Sequence, residues 1–120
     1  MLNLDTHILL HALEGKLRPS ERQMLRDRWS VSAIVLWEIA KLHQLGRISL
    51  SLDHAGLSAV LDRIQIWPIS IQVCRAISSL DFSSDPADEM IAATSLVHGV
   101  KLITRDKRIL RSKIVPLARV

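Results

Sequence analysis

The chain has 120 residues, of which 48% are hydrophobic and 23% charged. These proportions are typical of one soluble globular domain and exclude a disordered segment. Aromatic residues make up only 3%, so the core must be built from Leu, Ile, Val and Ala. The net charge of +4 is compatible with a nucleic-acid ligand but does not establish one.

The single cysteine, Cys74, excludes an internal disulfide, and its neighbours Val73 and Ile77 predict that the thiol is buried. No secretory signal is visible. No apolar run approaches the roughly 20 residues that a membrane span requires. We therefore expect a cytoplasmic protein without membrane association.

Short aliphatic strands and helices alternate along the chain. In the first half, the pattern predicts strands at 1–5 and 29–32 and helices at 6–14, 19–28 and 33–45, followed by a helix that Asp53 caps and that ends near 64. In the second half, it predicts strands at 66–69 and 100–104, a candidate fifth strand at 114–117, and helices at 70–80, 85–98 and from 106 onward.

Several residues fix the ends of these predicted elements. Ser32 and Ser70 are predicted N-caps and Gly46 is a predicted C-terminal stop. Pro68 has no N–H to donate, so its strand is predicted to lie at a sheet edge. Strands separated by helices predict an α/β fold, a parallel sheet of four to five strands with helices on both faces. We expect a single domain over residues 1–120.

Four acidic residues fall where they can face one edge of this sheet. Asp5 ends the first strand, Asp106 follows the fourth, Glu38 lies two turns into the helix after the second, and Asp88 lies in the first turn of the helix before the fourth. Ligands of parallel α/β sheets bind at the carboxyl ends of the strands. Carboxylates from separate elements can together hold Mg²⁺ for phosphodiester hydrolysis.

Each acid taken singly also has a structural explanation. Asp5 and Asp106 can cap the helices that follow them, Glu38 can lie on a solvated helix face, and Asp88 can favour a helix N-terminus. The four acids at one sheet edge carry the functional hypothesis. Asp85, directly before a proline, is interpreted as a helix cap only.

Four segments resemble, in chain order, the motifs of PIN-domain ribonucleases, and most closely those of the VapC-type toxins of bacteria and archaea. They are Leu4–Leu10, Ser32–Ala40, Asp85–Ala93 and Leu102–Asp106. Together they span nearly the whole chain. One departure is His11, where relatives of this subgroup often carry Trp.

The resemblance implies a Mg²⁺-dependent endoribonuclease, with Mn²⁺ expected to substitute, that serves as the toxin of a type II toxin–antitoxin pair. It implies Asp5 and Asp88 as direct or water-mediated metal ligands, Glu38 as a residue that completes the acidic site and orients the attacking water, and Asp106 as a peripheral fourth acid. It also implies three supporting residues: Thr6, Ser32 and Thr104.

A basic run beside Asp106 is a candidate RNA contact, because cations bind flanking phosphates without reading sequence. A solvated surface helix explains it equally well. The run contains Arg105, Lys107, Arg108, Arg111 and Lys113. The resemblance further implies a small cognate antitoxin, and a homodimer is expected. Leu36, Trp37 and Leu45 are interpreted as core, as a dimer contact or as a partner surface.

Three other functions share part of this pattern. A phosphoacceptor receiver domain requires an acceptor Asp after the third strand, where this chain has Pro68-Ile69-Ser70. A haloacid-dehalogenase-like phosphatase requires a second Asp two residues after Asp5, where this chain has His7. The alternative from a different class is a PIN-like module that binds RNA or protein without cutting, and metal-dependent cleavage distinguishes it.

Overall fold

The computed structural model describes residues 1–119, which form a four-stranded parallel sheet covered by helices. The strands are β1 (Leu2–Leu4), β2 (Trp29–Ser32), β3 (Gln65–Trp67) and β4 (Lys101–Ile103), and their order across the sheet is β3-β2-β1-β4. The predicted α/β fold with a parallel sheet is confirmed. β3 lies at an edge, as Pro68 predicted.

Seven α-helices occur in the described residues, with one 3-10 turn at Ile77–Ser79. They are α1 (Thr6–Glu14), α2 (Pro19–Met24), α3 (Ala33–Gln44), α4 (Ala55–Leu61), α5 (Ile71–Ala76), α6 (Pro86–His98) and α7 (Lys107–Leu110). None of the helices within residues 1–119 is long and apolar enough to cross a membrane.

The central strand β1 shows that both faces of the sheet are covered. Its residues Leu2, Asn3 and Leu4 are all buried, although successive side chains of a strand point to opposite faces. The chain winds outward from β1 through β2 to β3 and then returns to place β4 on the other side of β1. The carboxyl ends of β1 and β4 therefore form the switch point where such sheets bind ligands.

Asn3 attaches α6 to the centre of the sheet. Its Nδ2 donates to the Ile91 carbonyl at 3.1 Å and to Ser95 Oγ at 2.9 Å, and all three residues are buried. A buried amide in these contacts holds α6 in one position along β1, because any slip would leave the donors unpaired. Since α6 also carries Asp88, this attachment fixes where that acid lies relative to Asp5.

Several predicted boundaries were wrong by a few residues. α2 ends at Met24 and is followed by a turn with i→i−3 hydrogen bonds. The cap of α4 is His54, whose Nδ1 accepts from the Leu57 N–H at 3.3 Å, rather than Asp53. β3 ends at Trp67, because the ladder stops before Pro68. Of the candidate fifth strand, only a bridge between Leu102 and Leu117 forms.

The prediction of a buried Cys74 was also wrong. The thiol is exposed on the outer side of α5, while the neighbouring Val73 is fully buried. Adjacent residues of a helix point about 100° apart, so Val73 occupies the core position and turns Cys74 toward solvent. The predicted caps Ser32 and Ser70 are confirmed, each accepting from a backbone N–H at 3.2 Å.

An ion pair between the buried Glu21 and the partly buried Arg105 joins α2 to the loop after β4. Both Glu21 oxygens accept from the Arg105 guanidinium, at 2.7 and 2.8 Å, and Glu21 also accepts the Arg18 N–H at 2.7 Å. Glu21 is buried, with a relative exposure of 5%. The Arg105 hydrogen bonds lower the pKa of Glu21 from 4.5 to about 2. Bidentate geometry of this kind makes a strong charge-assisted contact.

We expect Glu21→Gln to lower the free energy of unfolding at neutral pH by on the order of 2 kcal/mol, because it removes this charge partner of Arg105. A depressed pKa stabilises the fold above pH 4.5 and loses its effect as the pH falls toward 2. Chemical denaturation across this range should therefore show the variant converging on the wild type. Glu14→Gln is the control, since Glu14 pairs with Lys16 at the surface and should matter little. A difference that persists at pH 2 would contradict the assignment.

Candidate metal-dependent nuclease site

Asp5 is buried directly after β1, between the ends of β1 and β4. Its Oδ1 accepts the Thr6 N–H at 2.7 Å, which caps α1, and its Oδ2 accepts the Thr104 hydroxyl at 2.6 Å. Burial raises the pKa of Asp5, with a further rise from the nearby Glu38 carboxylate, while the Thr104 and Thr6 hydrogen bonds oppose the shift. Two hydrogen bonds thus hold the Asp5 carboxylate in place, but it forms no ion pair with a cationic side chain of residues 1–119.

Two threonines connect Asp5 to two of the other predicted acids. Thr6, whose N–H binds Asp5, donates its hydroxyl to Glu38 Oε1 on α3. Thr104, whose hydroxyl binds Asp5, accepts the Asp106 N–H at 3.0 Å. The structure therefore brings Asp5, Glu38 and Asp106 together through residues that the sequence suggested as supporting ones. Ser32, the third of these, caps α3 and so sets where the Glu38 helix begins.

Asp88 enters the site from the first turn of α6 and is partly buried. Its Oδ2 accepts the Ser84 hydroxyl at 3.0 Å. Burial raises the pKa of Asp88, and the carboxylates of Asp5, Asp106 and Asp85 raise it further, whereas the Ser84 hydrogen bond lowers it. The four predicted acids thus lie close enough to repel one another.

Asp106 has a structural role in addition to its place in the site. Its Oδ1 accepts the N–H groups of Arg108 and Ile109 at 2.8 and 3.0 Å, which caps α7. The structure confirms the predicted cap, and it also places Asp106 in the lining of the same cleft as the other predicted acids. The cap fixes the side chain at the rim of the acidic cleft, consistent with a peripheral position.

Asp85 is a fifth acid that sequence reasoning missed. It occupies the N-cap position of α6, but its side chain makes no cap hydrogen bond, so the interpretation as a cap only was wrong. Its carboxylate lies in the cleft beside Asp88. The Asp-Pro pair concealed this, because a cap accounts for such a sequence completely. At the start of α6, the Ser84 hydroxyl donates a hydrogen bond to Asp88, whereas the Asp85 side chain makes none to the helix backbone.

The acids line a cleft of about 210 Å³, together with His7 and Arg105. We call it the acidic cleft: Asp5, His7, Glu38, Asp85, Asp88, Arg105 and Asp106. His7 is exposed at its rim. Within residues 1–119, ion pairs form only at Asp27, Glu14 and Glu21, so none of the five acids is in an ion pair. The guanidinium of Arg105 binds Glu21 and the Lys16 carbonyl instead.

A wider cleft of about 460 Å³ adjoins the acidic cleft and shares Asp85, Asp88 and Asp106 with it. Its other wall carries the cations Lys107, Arg108 and Arg111 on and just after α7. Arg108 is partly fixed there by a 2.8 Å hydrogen bond from Nη1 to the Ser83 carbonyl. Positive side chains therefore flank the acids on one side, where they can bind an anionic strand that reaches the carboxylates.

Comparison with known proteins identifies the family. The sequence matches the PIN domain family over residues 3–114. The chain belongs to this family. It is 33% identical over 113 residues to Ribonuclease VapC22 of Mycobacterium tuberculosis (strain ATCC 25618 / H37Rv), an alignment that covers 88% of this chain and 87% of that protein. The predicted family is thereby confirmed.

Solved structures share the fold at lower identity. VapBC2 from Rickettsia felis, bound to a DNA fragment from its promoter, superposes with a TM-score of 0.75 at 20% identity, covering 98% of each chain. A toxin–antitoxin complex from Klebsiella pneumoniae gives a TM-score of 0.73 at 21% identity, covering 99% of this chain and 97% of that one. These similarities support the parallel-sheet architecture described above.

The acidic cleft fits a divalent cation by its chemistry. Carboxylate oxygens are the ligands that Mg²⁺ prefers, and Mg²⁺ keeps several of its waters, so it needs few protein ligands. Burial raises the pKa of both Asp5 and Asp88, and neighbouring carboxylates raise each pKa further, so a cation bound there would relieve an unfavourable charge. Among the described residues, no group of three acidic, His or Cys side chains is already arranged around one point as ligands. Binding through one or two carboxylates and waters agrees with both observations.

The structure decides part of the interpretation of the α3 residues. Trp37 is 56% exposed and Leu45 58% exposed, so neither belongs to the core, and Leu36 is partly buried. Both exposed side chains belong to the helix that carries Glu38, with Leu45 at its C-cap. A dimer contact and a partner surface both remain open as predictions for this face.

We expect Asp88→Asn to melt a few degrees higher than the wild type in EDTA at neutral pH. Removing one charge relieves repulsion among the acids. An acid with a raised folded-state pKa favours the fold while protonated, and this advantage is lost as the pH rises through that pKa. The gain of the variant should therefore vanish at pH values below the ordinary carboxyl range. Thermal melts across pH measure both effects.

Glu89→Gln is the matched control for this variant. Glu89 lies in the same first turn of α6, and its Oε2 accepts the Ser84 N–H, but it is not part of the acidic cleft. Its loss removes the favourable interaction with the helix N-terminus, about 0.3–1 kcal/mol, without relieving repulsion, so this variant should melt lower. If both variants melt lower in EDTA, helix capping dominates at Asp88 and the repulsion account is wrong.

Proposed function

We propose that this PIN-domain protein is a metal-dependent endoribonuclease and the toxin of a type II toxin–antitoxin pair. One observation carries the proposal: five carboxylates, none of them in an ion pair within residues 1–119, meet at the switch point of the sheet, beside a cleft lined by cations. Such a site suits an anionic substrate only when a metal ion offsets the carboxylates. The relative named Ribonuclease VapC22 supports the same activity.

Asp5 and Asp88 are the proposed metal ligands, with Mg²⁺ as the expected ion and Mn²⁺ as a substitute. A bound divalent cation would supply neutralisation of charge at the scissile phosphate. The hydrogen bonds from Thr6 and Thr104 orient both oxygens of Asp5, which leaves each oxygen a further lone pair for the ion. Asp88 approaches from another element, so the two carboxylates lie on independent supports.

Glu38 is the proposed residue that orients the attacking water. The Thr6 hydroxyl binds Glu38 Oε1, so Oε2 is the oxygen available to accept a hydrogen bond from water. In hydrolysis this water attacks the phosphorus, and the bond to the leaving oxygen breaks on the opposite side. A carboxylate held by Thr6 positions the water relative to Asp5, because the same threonine also binds Asp5.

The cationic wall supplies the proposed contacts to RNA. Lys107, Arg108 and Arg111 face the cleft that the acids border, so they can bind phosphates that flank the scissile bond. Arg105 was also predicted to bind RNA. Its guanidinium is occupied by Glu21, so a phosphate contact from Arg105 would compete with this ion pair.

The toxin assignment adds a protein partner. The structures from R. felis and K. pneumoniae are VapBC2 and a toxin–antitoxin complex, which supports a small cognate antitoxin for this chain. An antitoxin arginine could neutralise the acidic cleft, since a guanidinium presents a fixed fork of donors and stays charged. The exposed Trp37 and Leu45 are candidates for apolar contacts with this partner or within a homodimer.

We expect Asp5→Asn or Asp88→Asn to abolish RNA cleavage while preserving the fold, because each removes a proposed metal ligand. EDTA should stop the wild-type reaction, and Mg²⁺ or Mn²⁺ should restore it. Cleavage of a labelled RNA and circular dichroism measure the two effects. Asp53→Asn is the control, since Asp53 is an exposed acid distant in sequence from the motifs, and it should cut normally. Undiminished cleavage by metal-stripped protein in EDTA would refute the metal mechanism.

We expect expression of the wild-type chain alone to arrest growth and co-expression with the gene encoding its antitoxin to relieve it. A metal-dependent ribonuclease acting freely on cellular RNA is toxic, and a bound antitoxin that fills the acidic cleft removes the activity. Growth curves and co-purification measure this. Asp5→Asn should be harmless yet still co-purify with the antitoxin. If the wild-type chain cuts RNA in vitro but is harmless when expressed at a high level, the toxin assignment is wrong and the nuclease assignment stands. If the chain neither cuts RNA nor arrests growth, the non-catalytic binding module is favoured.

A further inference from the structure

A second basic cleft lies next to the acidic cleft and is not used by the proposed mechanism. It has a volume of about 400 Å³. We call it the Arg18 cleft. The residues that decide its chemistry are Arg18, Met24, Arg105, Lys107, Leu110 and Arg119. It lies between α2, the end of β4, α7 and the following chain.

The walls of the Arg18 cleft combine cations with apolar surface. Arg18, Lys107 and Arg119 are exposed, whereas Met24 and Leu110 are partly buried and offer side chains without charge. The one carboxylate among the described lining residues is that of Glu21, and Arg105 neutralises it. The cleft is therefore net positive with an apolar part, which matches the phosphate and the base of a nucleotide.

The segment from Thr104 to Lys107 connects the Arg18 cleft to the proposed reaction site. Arg105 lines both the Arg18 cleft and the acidic cleft, and Lys107 lines both the Arg18 cleft and the cationic wall. A nucleic-acid strand that lies over the carboxylates can therefore continue past Arg105 into the Arg18 cleft. The bidentate pair with Glu21 holds the Arg105 guanidinium at the border between the two clefts.

We propose that the Arg18 cleft is a nucleotide subsite for the RNA strand that the acidic cleft cuts. The base of a nucleotide near the scissile bond rests against Met24 and Leu110, and Arg18 and Arg119 bind the adjoining phosphates. The proposal rests on the proposed function, because it assigns the neighbouring segment of the same substrate. Recognition of unstacked bases together with their backbone is how proteins hold single-stranded RNA.

An acidic peptide is the rival occupant of a positive cleft. A peptide that is acidic along its whole length and continues from the Arg18 cleft would bring its carboxylates against the five acids, where the charges repel. An RNA strand places a phosphate there, and the proposed metal ion offsets its charge together with that of the acids. The continuity of the two clefts therefore favours RNA, and the experiment below includes the peptide as an outcome.

The test compares two double variants in an Asp5→Asn background, which prevents cutting. Fluorescence anisotropy measures binding of a labelled single-stranded oligoribonucleotide across salt concentrations. Arg18→Ala with Arg119→Ala should weaken binding by roughly tenfold, since charge-assisted contacts are lost, and should lower the log–log salt slope by up to about 1.4 for two phosphates. Arg22→Ala with Arg26→Ala changes the net charge equally on exposed residues outside the cleft, and should have a much smaller effect.

Two further measurements separate this proposal from the proposed function. With Asp5 intact, Arg18→Ala with Arg119→Ala should raise the KM for RNA and leave kcat nearly unchanged, as expected for contacts equally strong in the ground and transition states. Ser20→Leu, which narrows the cleft and keeps every charge without adding an aromatic ring on which a base could stack, should weaken RNA binding as well. Thermal melts verify that each variant is folded, and the arginine pair keeps the test valid if the leucine variant is not.

Equal effects of the two arginine pairs would overturn the subsite and assign the loss to net charge. If the wild type cuts RNA but Arg18→Ala with Arg119→Ala changes neither RNA binding nor the KM, the subsite is overturned and the nuclease assignment stands. Failure of the wild type to cut would overturn the nuclease, while anisotropy would still decide whether the cleft binds RNA. Binding of an oligoglutamate peptide through Arg18 and Arg119, with no binding of RNA, would overturn the subsite in favour of a protein partner.

Discussion

The burial of the Asp5 carboxylate at the end of β1 is the constraint on which the site depends. An ionised group in this position loses its hydration, and the pKa of Asp5 rises as a result. Two hydrogen bonds compensate only in part, and each comes from a residue that also contacts another acid. These hydrogen bonds fix the geometry of Asp5 but compensate its charge only in part, and the proposed metal ion would offset the remainder.

Three consecutive residues after β4 serve three different parts of the molecule. Thr104 binds Asp5, Arg105 binds Glu21, and Asp106 caps α7. Arg105 lines the acidic cleft, but its ion pair is with Glu21 and not with any acid of that cleft. The same segment therefore stabilises the fold and leaves the carboxylates without an ion-pair partner among the described residues, as the proposed metal site requires.

Much of this architecture is predictable from the sequence, because strand ends, caps and acids occur at the periods that a parallel sheet requires. Asp5, Glu38, Asp88 and Asp106 are recoverable for this reason, since parallel strands bring their carboxyl ends to one edge. Asp85 is not, because the choice between capping a helix and facing a cleft depends on tertiary contacts. The partner of Arg105 is equally hidden, since Glu21 lies 84 residues away, and the exposure of Cys74 depends on which neighbour reaches the core.

The contact between Asp5 and Thr104 spans 99 residues of the chain, and this separation governs when the site can exist. During translation, β1, α1 and α3 leave the ribosome long before β4, which must insert beside β1 to complete the central pairing. Until then Asp5 lacks its hydroxyl donor and Asp106 has not been made. A nascent chain therefore carries no assembled acidic cleft until β4 has been made and has paired with β1.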